Sequence, residues 1–348
     1  MDILDSLPSI EQRDTKNALG IAANEPKQLC YKIVVENTTS IPTINKIVVA
    51  GMGGSALAAE IAKDWLNLPV PFMVVKNYEL PAYVDEHTLL IACSFSGNTE
   101  ETLWAYDDAK SRGAHIVIAA GKGKLLELAQ QNNHPYVVMT YDGTTPRMFV
   151  LENLRAFMEI FVAYKIVQNS ALDELQQICN KLSDVDEQWG PRTLFADNLA
   201  KQLAWQATGK TQVVYAGILF RSIAYKWKIS FNESGKNIAF CNEYPEANHN
   251  EFIGWTSHPI EKPYAVFDIR SSFDHPRIAK RFELSDRLLS GKRPKSTIIE
   301  LQGDSVIEQM VWGILLADYT STYLGILNGV DPAPVPLIEK LKEEMSKS

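Results

Sequence analysis

Short apolar runs alternate with amphipathic stretches along most of this sequence, and that alternation restricts the possible folds more than any other feature. Runs at 46–50, 72–75, 88–93, 115–119 and 136–139 are separated by stretches at 55–66, 99–111 and 124–132 whose apolar residues recur with helical spacing. Strands that alternate with helices pair through crossover connections, so the chain reads as α/β with doubly wound parallel sheets flanked by helices. Residues 148–206 carry no β-rich run and read as two or three consecutive helices, broken at Pro191. A second series follows, with strands expected at 212–216, 237–240, 264–268 and 296–300 and helices at 222–231, 276–289 and 304–327. Its first strand, Val-Val-Tyr-Ala-Gly at 213–217, echoes Val-Val-Ala-Gly at 48–51, a weak internal repeat of one α/β unit. A leader with helix-like spacing over 11–36 precedes the first series, and a short helix at 338–347 follows the Pro-rich stretch 331–336.

A chain of 348 residues is long enough for about two domains. Its 34 Lys and Arg against 42 Asp and Glu leave a net charge of -8, which argues against a nucleic-acid or anionic-membrane partner. An anionic ligand must therefore be held locally. Cys30, Cys93, Cys179 and Cys241 show no CxxC spacing, so the expectation is four reduced thiols, with neither a zinc ribbon nor a disulfide framework. The acidic start MDILDSLPSI has no basic region or apolar run, and no stretch approaches the length of a membrane span, so a cytoplasmic protein is expected.

Two loops concentrate the groups that bind anions. The first, Gly51-Met52-Gly53-Gly54-Ser55-Ala56, follows a strand and opens a helix, where glycines let backbone N–H groups approach an anion. It fits the loose dinucleotide pattern GxGxxA, but the next strand ends in Val75-Lys76-Asn77, where a nicotinamide cofactor would require an acidic residue for its ribose. A glycine turn that only packs strand against helix is the structural alternative. The second loop, Cys93-Ser94-Phe95-Ser96-Gly97-Asn98-Thr99-Glu100-Glu101-Thr102, gathers Ser94, Ser96 and Thr99 at one helix start. Hydroxyls and helix-terminal amides together form a phosphate cradle without a lysine. A capped helix, with Asn98 as N-cap and Glu101 closing a capping box, would explain one hydroxyl but not all of them.

The pairing of these two loops resembles the sugar isomerase (SIS) domain. Asn232-Glu233-Ser234-Gly235-Lys236, Glu246-Ala247-Asn248-His249-Asn250-Glu251 and the ending Asp331-Pro332-Ala333-Pro334 with Leu341-Lys342 narrow the resemblance to the bifunctional phosphoglucose/phosphomannose isomerase family. The resemblance implies a leader at 1–40, a first SIS domain at 41–160, a helical connection at 161–206 and a second SIS domain with C-terminal helix at 207–348. It also implies a homodimer with shared active sites, a phosphosugar substrate and no cofactor or metal.

Interconverting an aldose and a ketose phosphate moves a proton between C1 and C2. That needs a carboxylate base, a cation for the enediolate and an acid-base group to open the ring. By resemblance Glu233 is the base, Arg147 neutralises the enediolate, His249 opens the ring from the partner subunit, and Lys342 assists, with Lys340 close enough to compete for that role. Gly54, Ser55, Ser94, Ser96 and Thr99 match the phosphate-binding positions. The bland readings are an exposed glutamate at a helix end, a surface arginine and a solvated tail lysine. Val335 departs from the threonine that some members carry and that is linked to accepting the mannose epimer, which makes glucose 6-phosphate the firmer substrate. Ser234-Gly235 stands where Asn-Ala is the family's usual pair. A metal site at His249, Glu251 and His258 lacks a third strong ligand. A non-catalytic phosphosugar sensor is the main alternative function; it would lack the base or carry a DNA-binding element, and neither condition is met here.

Overall fold

The computed structural model describes residues 3–40, 43–140, 145–256, 263–345 and 347. The chain begins with helices α1 (Leu7–Arg13) and α2 (Ala18–Gln28). Next come β1 (Lys46–Ala50), α3 (Gly53–Leu66), β2 (Phe72–Val75), β3 (Thr88–Cys93), α4 (Glu100–Ser111), β4 (His115–Ala120), α5 (Lys124–Gln131) and β5 (Tyr136–Val138). Four helices follow where two or three were expected: α6 (Val150–Ala163), α7 (Ser170–Lys181), α8 (Val185–Trp189) and α9 (Leu199–Ala207). The second series runs β6 (Thr211–Gly217), α10 (Arg221–Glu233), β7 (Ala239–Tyr244), α11 (Glu251–Gly254), β8 (Tyr264–Arg270), α12 (Pro276–Leu288), β9 (Thr297–Glu300), α13 (Val306–Leu327) and α14 (Pro336–Met345).

Two compact units result, one of residues Asn24–Ser183 and one of Met1–Ala23 with Asp184–Ser348. The stretch expected as a leader is thus shared between them, and the expected helical connection is divided. Packing decides membership, not chain order. Arg13 donates to the Ile326 carbonyl at 2.6 Å, whereas Arg155 donates to the Leu29 carbonyl at 2.9 Å.

The first unit holds a five-stranded parallel sheet in the order β2-β1-β3-β4-β5. Alternate residues such as Val48, Leu90 and Ile118 pack on Ala105, Tyr106 and Ala109 of α4 and on Leu125 of α5. On β2, Phe72 meets Phe161 of α6 edge to face at 5.8 Å. All six residues of β3 are buried, which is why a strand covered on both faces shows in the sequence as an unbroken apolar run. One expectation is corrected here: Cys30 and Cys179 form a disulfide, with Cα atoms 6.2 Å apart. The Arg155 bond to Leu29 holds Cys30 beside α6, against which α7 packs, and so brings together cysteines 149 positions apart. Cys93 and Cys241 are free thiols.

The second unit holds a four-stranded parallel sheet in the order β7-β6-β8-β9. Trp227 and Phe231 of α10 pack with Phe267 of β8, their ring centroids 5.7 to 6.0 Å apart. The Trp227 indole donates to the Gly313 carbonyl of α13 at 2.9 Å. At 22 residues α13 is long and apolar enough to cross a bilayer, yet nearly all of it is buried in this unit, as an all-round apolar helix at the centre of a globular core should be. Strand β7 lies further along the chain than the expected 237–240. It is an edge strand, and its polar Asn242 and Glu243 hide it from an apolar pattern.

Candidate active site

In the five-stranded unit β1 and β3 are neighbours, but the chain leaves β1 towards β2 and leaves β3 towards β4. That divergence opens the crevice where doubly wound sheets bind ligands. Both glycine- and hydroxyl-rich loops start at this point. A Cβ added to Gly51 would lie 2.8 Å from the Cys93 carbonyl, and one added to Gly54 would lie 3.1 Å from the Pro146 carbonyl. The two glycines therefore let three segments close on one another.

The starts of α3 and α4 carry no side-chain cap, Met52 and Thr99 being the N-cap residues. The capping box that would have explained the second loop is not formed, because Asn98 Oδ1 accepts instead from the Lys124 N–H at 3.0 Å. The Thr99 hydroxyl lies 2.7 Å from that of Ser94, which in turn is 3.4 Å from that of Ser96. Uncapped N–H groups at two helix starts, together with Ser55 and three clustered hydroxyls, form a set of donors suited to a phosphate. Gly54 and Ser55 contribute the first turn of α3.

Arg147 belongs to the same unit, on the 3-10 turn Pro146–Met148, and is only 3 % exposed, so it is not a surface arginine. Two buried amides hold that turn. Gln28 donates to the Met148 carbonyl at 2.7 Å and accepts from the Glu152 N–H at 3.1 Å. Asn153 Nδ2 donates to the Phe149 carbonyl at 2.7 Å. Residues 141–144, which precede the turn, lie outside the described residues.

The four-stranded unit carries the other candidates. Glu233 is the last residue of α10 and is half-buried. A fully buried ion pair fixes this helix on α13: Lys226 Nζ lies 2.6 Å from the Asp318 carboxylate, which also accepts from Ser230 Oγ at 2.7 Å. Removing one partner of such a pair would leave the other charge buried and unpaired, at a cost of about 3–5 kcal/mol. Lys236 Nζ donates to the Glu233 carbonyl and to those of Pro332 and Pro334, at 3.1 and 2.6 Å. The helix end bearing Glu233 is thereby tied to the segment leading, through half-buried Val335, into α14. On α14 both Lys340 and Lys342 are exposed.

His249 is placed differently. Of the Asn-His-Asn-Glu string, Asn248 bonds Ser285 Oγ and Arg281 at 2.9 and 3.0 Å, and Asn250 bonds Glu246 and the Glu251 N–H, each at 2.6 Å. Glu251 accepts from the Tyr215 hydroxyl and from Asn242 at 2.7 Å. Burial raises the Tyr215 phenol, with Glu251 adding to the effect, so the hydroxyl stays protonated and donates. The His249 ring is left exposed. Glu251 is thus committed to β6 and β7, and His258, the other residue of the metal reading, lies outside the described residues.

The fold does not bring Glu233 and His249 together. Asn232 Oδ1 accepts from the Ala239 N–H at 2.9 Å, so Glu233 sits where β7 begins, whereas His249 follows its end. Six residues of β7 separate the two ends, roughly 20 Å at about 3.3 Å per residue.

Comparison with known proteins resolves the family. The model described as "SIS domain" matches residues 41–137, and that described as "Bacterial phospho-glucose isomerase C-terminal SIS domain" matches 196–345. The Caldicellulosiruptor bescii bifunctional phosphoglucose/phosphomannose isomerase is 34% identical over 333 residues, covering 93% of this chain and 97% of that protein. The chain belongs to the bifunctional phosphoglucose/phosphomannose isomerase family. The Aquifex aeolicus member is 30% identical over 304 residues, covering 86% of this chain and 90% of its own. A crystal structure of a glucose-6-phosphate isomerase like protein from Thermus thermophilus shares the fold, at a TM-score of 0.64 and 16% identity, with 98% of each chain covered.

Reading the sequence for this family's motifs misses the side chains that hold the motifs in place. Gln28, Asn153, Tyr215, Asn242, Lys226 and Asp318 all touch segments bearing a candidate residue, and none lies in a glycine- or hydroxyl-rich string. The available signal was a polar residue inside an otherwise apolar helical face, as at Asp318 within 306–327.

Proposed function

We propose that this chain interconverts glucose 6-phosphate, and also mannose 6-phosphate, with fructose 6-phosphate through an enediolate, without metal or cofactor. The observation that carries the reading is the Ser94, Ser96 and Thr99 hydroxyl cluster beside two uncapped helix starts at the switch point, in a member of this family. A phosphate dianion would take donors from Gly54, Ser55, Ser94, Ser96 and Thr99. Glu233 would remove the proton from C2 of the aldose as its carbonyl oxygen gains charge opposite Arg147, then return the proton to C1. His249 and Lys342 would move the protons that open the ring.

The same reading makes the working assembly a cytoplasmic homodimer in which His249 of the partner subunit completes each site. It is supported by the opposite placement of Glu233 and His249 on one sheet, because two residues about a strand length apart cannot serve one hexose. The activity would belong to glycolysis and gluconeogenesis.

The deciding experiment is steady-state conversion of fructose 6-phosphate in the presence of EDTA, with glucose 6-phosphate and mannose 6-phosphate quantified separately. Both products are expected. Glucose 6-phosphate alone would limit the reading to one epimer and draw attention to Val335. Binding of fructose 6-phosphate without any product would replace the isomerase with a phosphosugar sensor.

A further inference from the structure

The proposed phosphate donors and Arg147 come from segments far apart in the chain of the five-stranded unit: the first turn of α3, the loop that follows β3 and the turn carrying Arg147. One buried side chain touches all of them. Asn153, in the first turn of α6, is 5 % exposed. Its Nδ2 donates to the Phe149 carbonyl at 2.7 Å, two residues beyond Arg147. Its Oδ1 accepts from Ser55 Oγ and from Cys93 Sγ, each at 3.4 Å. Ser55 opens α3, and Cys93 immediately precedes Ser94.

We propose that Asn153 is a positioning residue that sets the spacing between the phosphate donors and Arg147, by fixing Ser55, Cys93 and Phe149 with a single amide. The inference rests on the phosphosugar reading above and deepens it. An amide suits the position because it donates in one direction and accepts in the other; a carboxylate or an aliphatic side chain of the same shape offers one of these or neither. The two acceptor contacts also differ in kind. The Cys93 thiol is fully buried and burial pushes it up to about 12, so it remains a protonated donor. Ser55 holds Asn153 through a long bond and can turn its proton to a phosphate oxygen while the thiol keeps Oδ1 satisfied. The cradle would then gain a donor on ligand binding without leaving a buried acceptor bare.

The test is direct calorimetric binding of inorganic phosphate and of fructose 6-phosphate to wild type, Asn153→Ala and Asn153→Asp, alongside kcat, KM and the melting temperature. For Asn153→Ala we expect both dissociation constants to rise by about tenfold or more, with kcat falling as Arg147 loses its register, while the protein stays folded. In Asn153→Asp the acceptors survive, the donor to Phe149 is lost, and a carboxyl group stands behind the phosphate. Its affinity for both ligands should fall at least about tenfold below wild type at about pH 8, because an ionised carboxyl repels the dianion and the tie to Phe149 is lost. A side chain that only supported the fold would lower the melting temperature and leave both dissociation constants of the folded protein unchanged. If Asn153→Ala does not fold, Asn153→Asp decides alone. Wild-type affinity for both ligands in folded Asn153→Ala or, where that variant does not fold, in Asn153→Asp overturns the inference. Phosphate binding by wild type without turnover would sink the isomerase reading while leaving the Asn153 comparison readable; absence of binding by wild type would sink both.

Discussion

The two units solve opposite problems with similar sheets. The five-stranded unit buries Arg147 (3 % exposed), Ser94 (4 %) and Ser55 (9 %), which Gln28 and Asn153 brace from within, and leaves Gly54 and Thr99 half-buried and Ser96 exposed. The four-stranded unit hides its braces and exposes its chemistry. The Lys226–Asp318 pair is wholly buried, yet His249 and Lys342 lie at the surface, and no residue of α14 is buried. Holding a dianion calls for donors fixed beforehand, since reorganising them on binding would cost affinity. Moving protons between the ring and anomeric oxygens and between C2 and C1 calls for groups that can reach a substrate, and an exposed histidine at the far end of the sheet from Glu233 fits the proposed site finished by a second copy.

Breaking this comparison should cost most at the chemical end. Glu233→Gln is expected to lower kcat by about a hundredfold to ten-thousandfold with KM within about threefold of wild type, because the amide keeps the shape and cannot take the proton. Near-normal turnover would assign the base elsewhere. The next largest effect concerns the rigidity of the binding unit. Cys179→Ser opens a loop of 149 residues and should reduce the stability of the five-stranded unit by up to about 5 kcal/mol, leaving β6 to β9 unaffected. Hydrogen exchange resolved by segment would show it, and uniform loss across both sheets would contradict the separation of roles.

Ser94→Ala tests the cradle itself. One hydrogen bond to a charged group is worth about 1.5–3 kcal/mol, so KM should rise roughly tenfold to a hundredfold with a smaller change in kcat. A fall in kcat alone would move Ser94 from binding to chemistry. The smallest effect is a gain. Co-assembled Glu233→Gln and His249→Ala chains should recover about a quarter of wild-type activity, since half the random dimers are mixed and each mixed dimer has one intact site. No recovery would place His249 and Glu233 in the same chain's site.

Much of this arrangement could be read in the sequence, and the remainder has identifiable causes. The first three strands begin and end where the apolar runs do, because each is bounded by glycine, proline or polar residues and because β1 and β3 are buried on both faces. The hydroxyl loop was legible because several donors at one helix start exceed what a cap requires. Strand β7 was displaced because Asn242, which looks like a turn residue, serves Glu251 from within an edge strand. Asn153 was invisible as a lone asparagine in an amphipathic helix; its role exists only when α3, β3 and α6 meet. The Cys30–Cys179 pair was equally hidden, since spacing carries no record of which helices will pack.

The string Asn248-His249-Asn250-Glu251 has a consequence for how such chains are sorted in genomes. Three of its four side chains are occupied in holding the turn, so a match to them reports the fold as much as the chemistry. If His249 and Glu233 act as proposed, the imidazole at 249 read jointly with the carboxylate at 233 is the part of the signature that reports turnover.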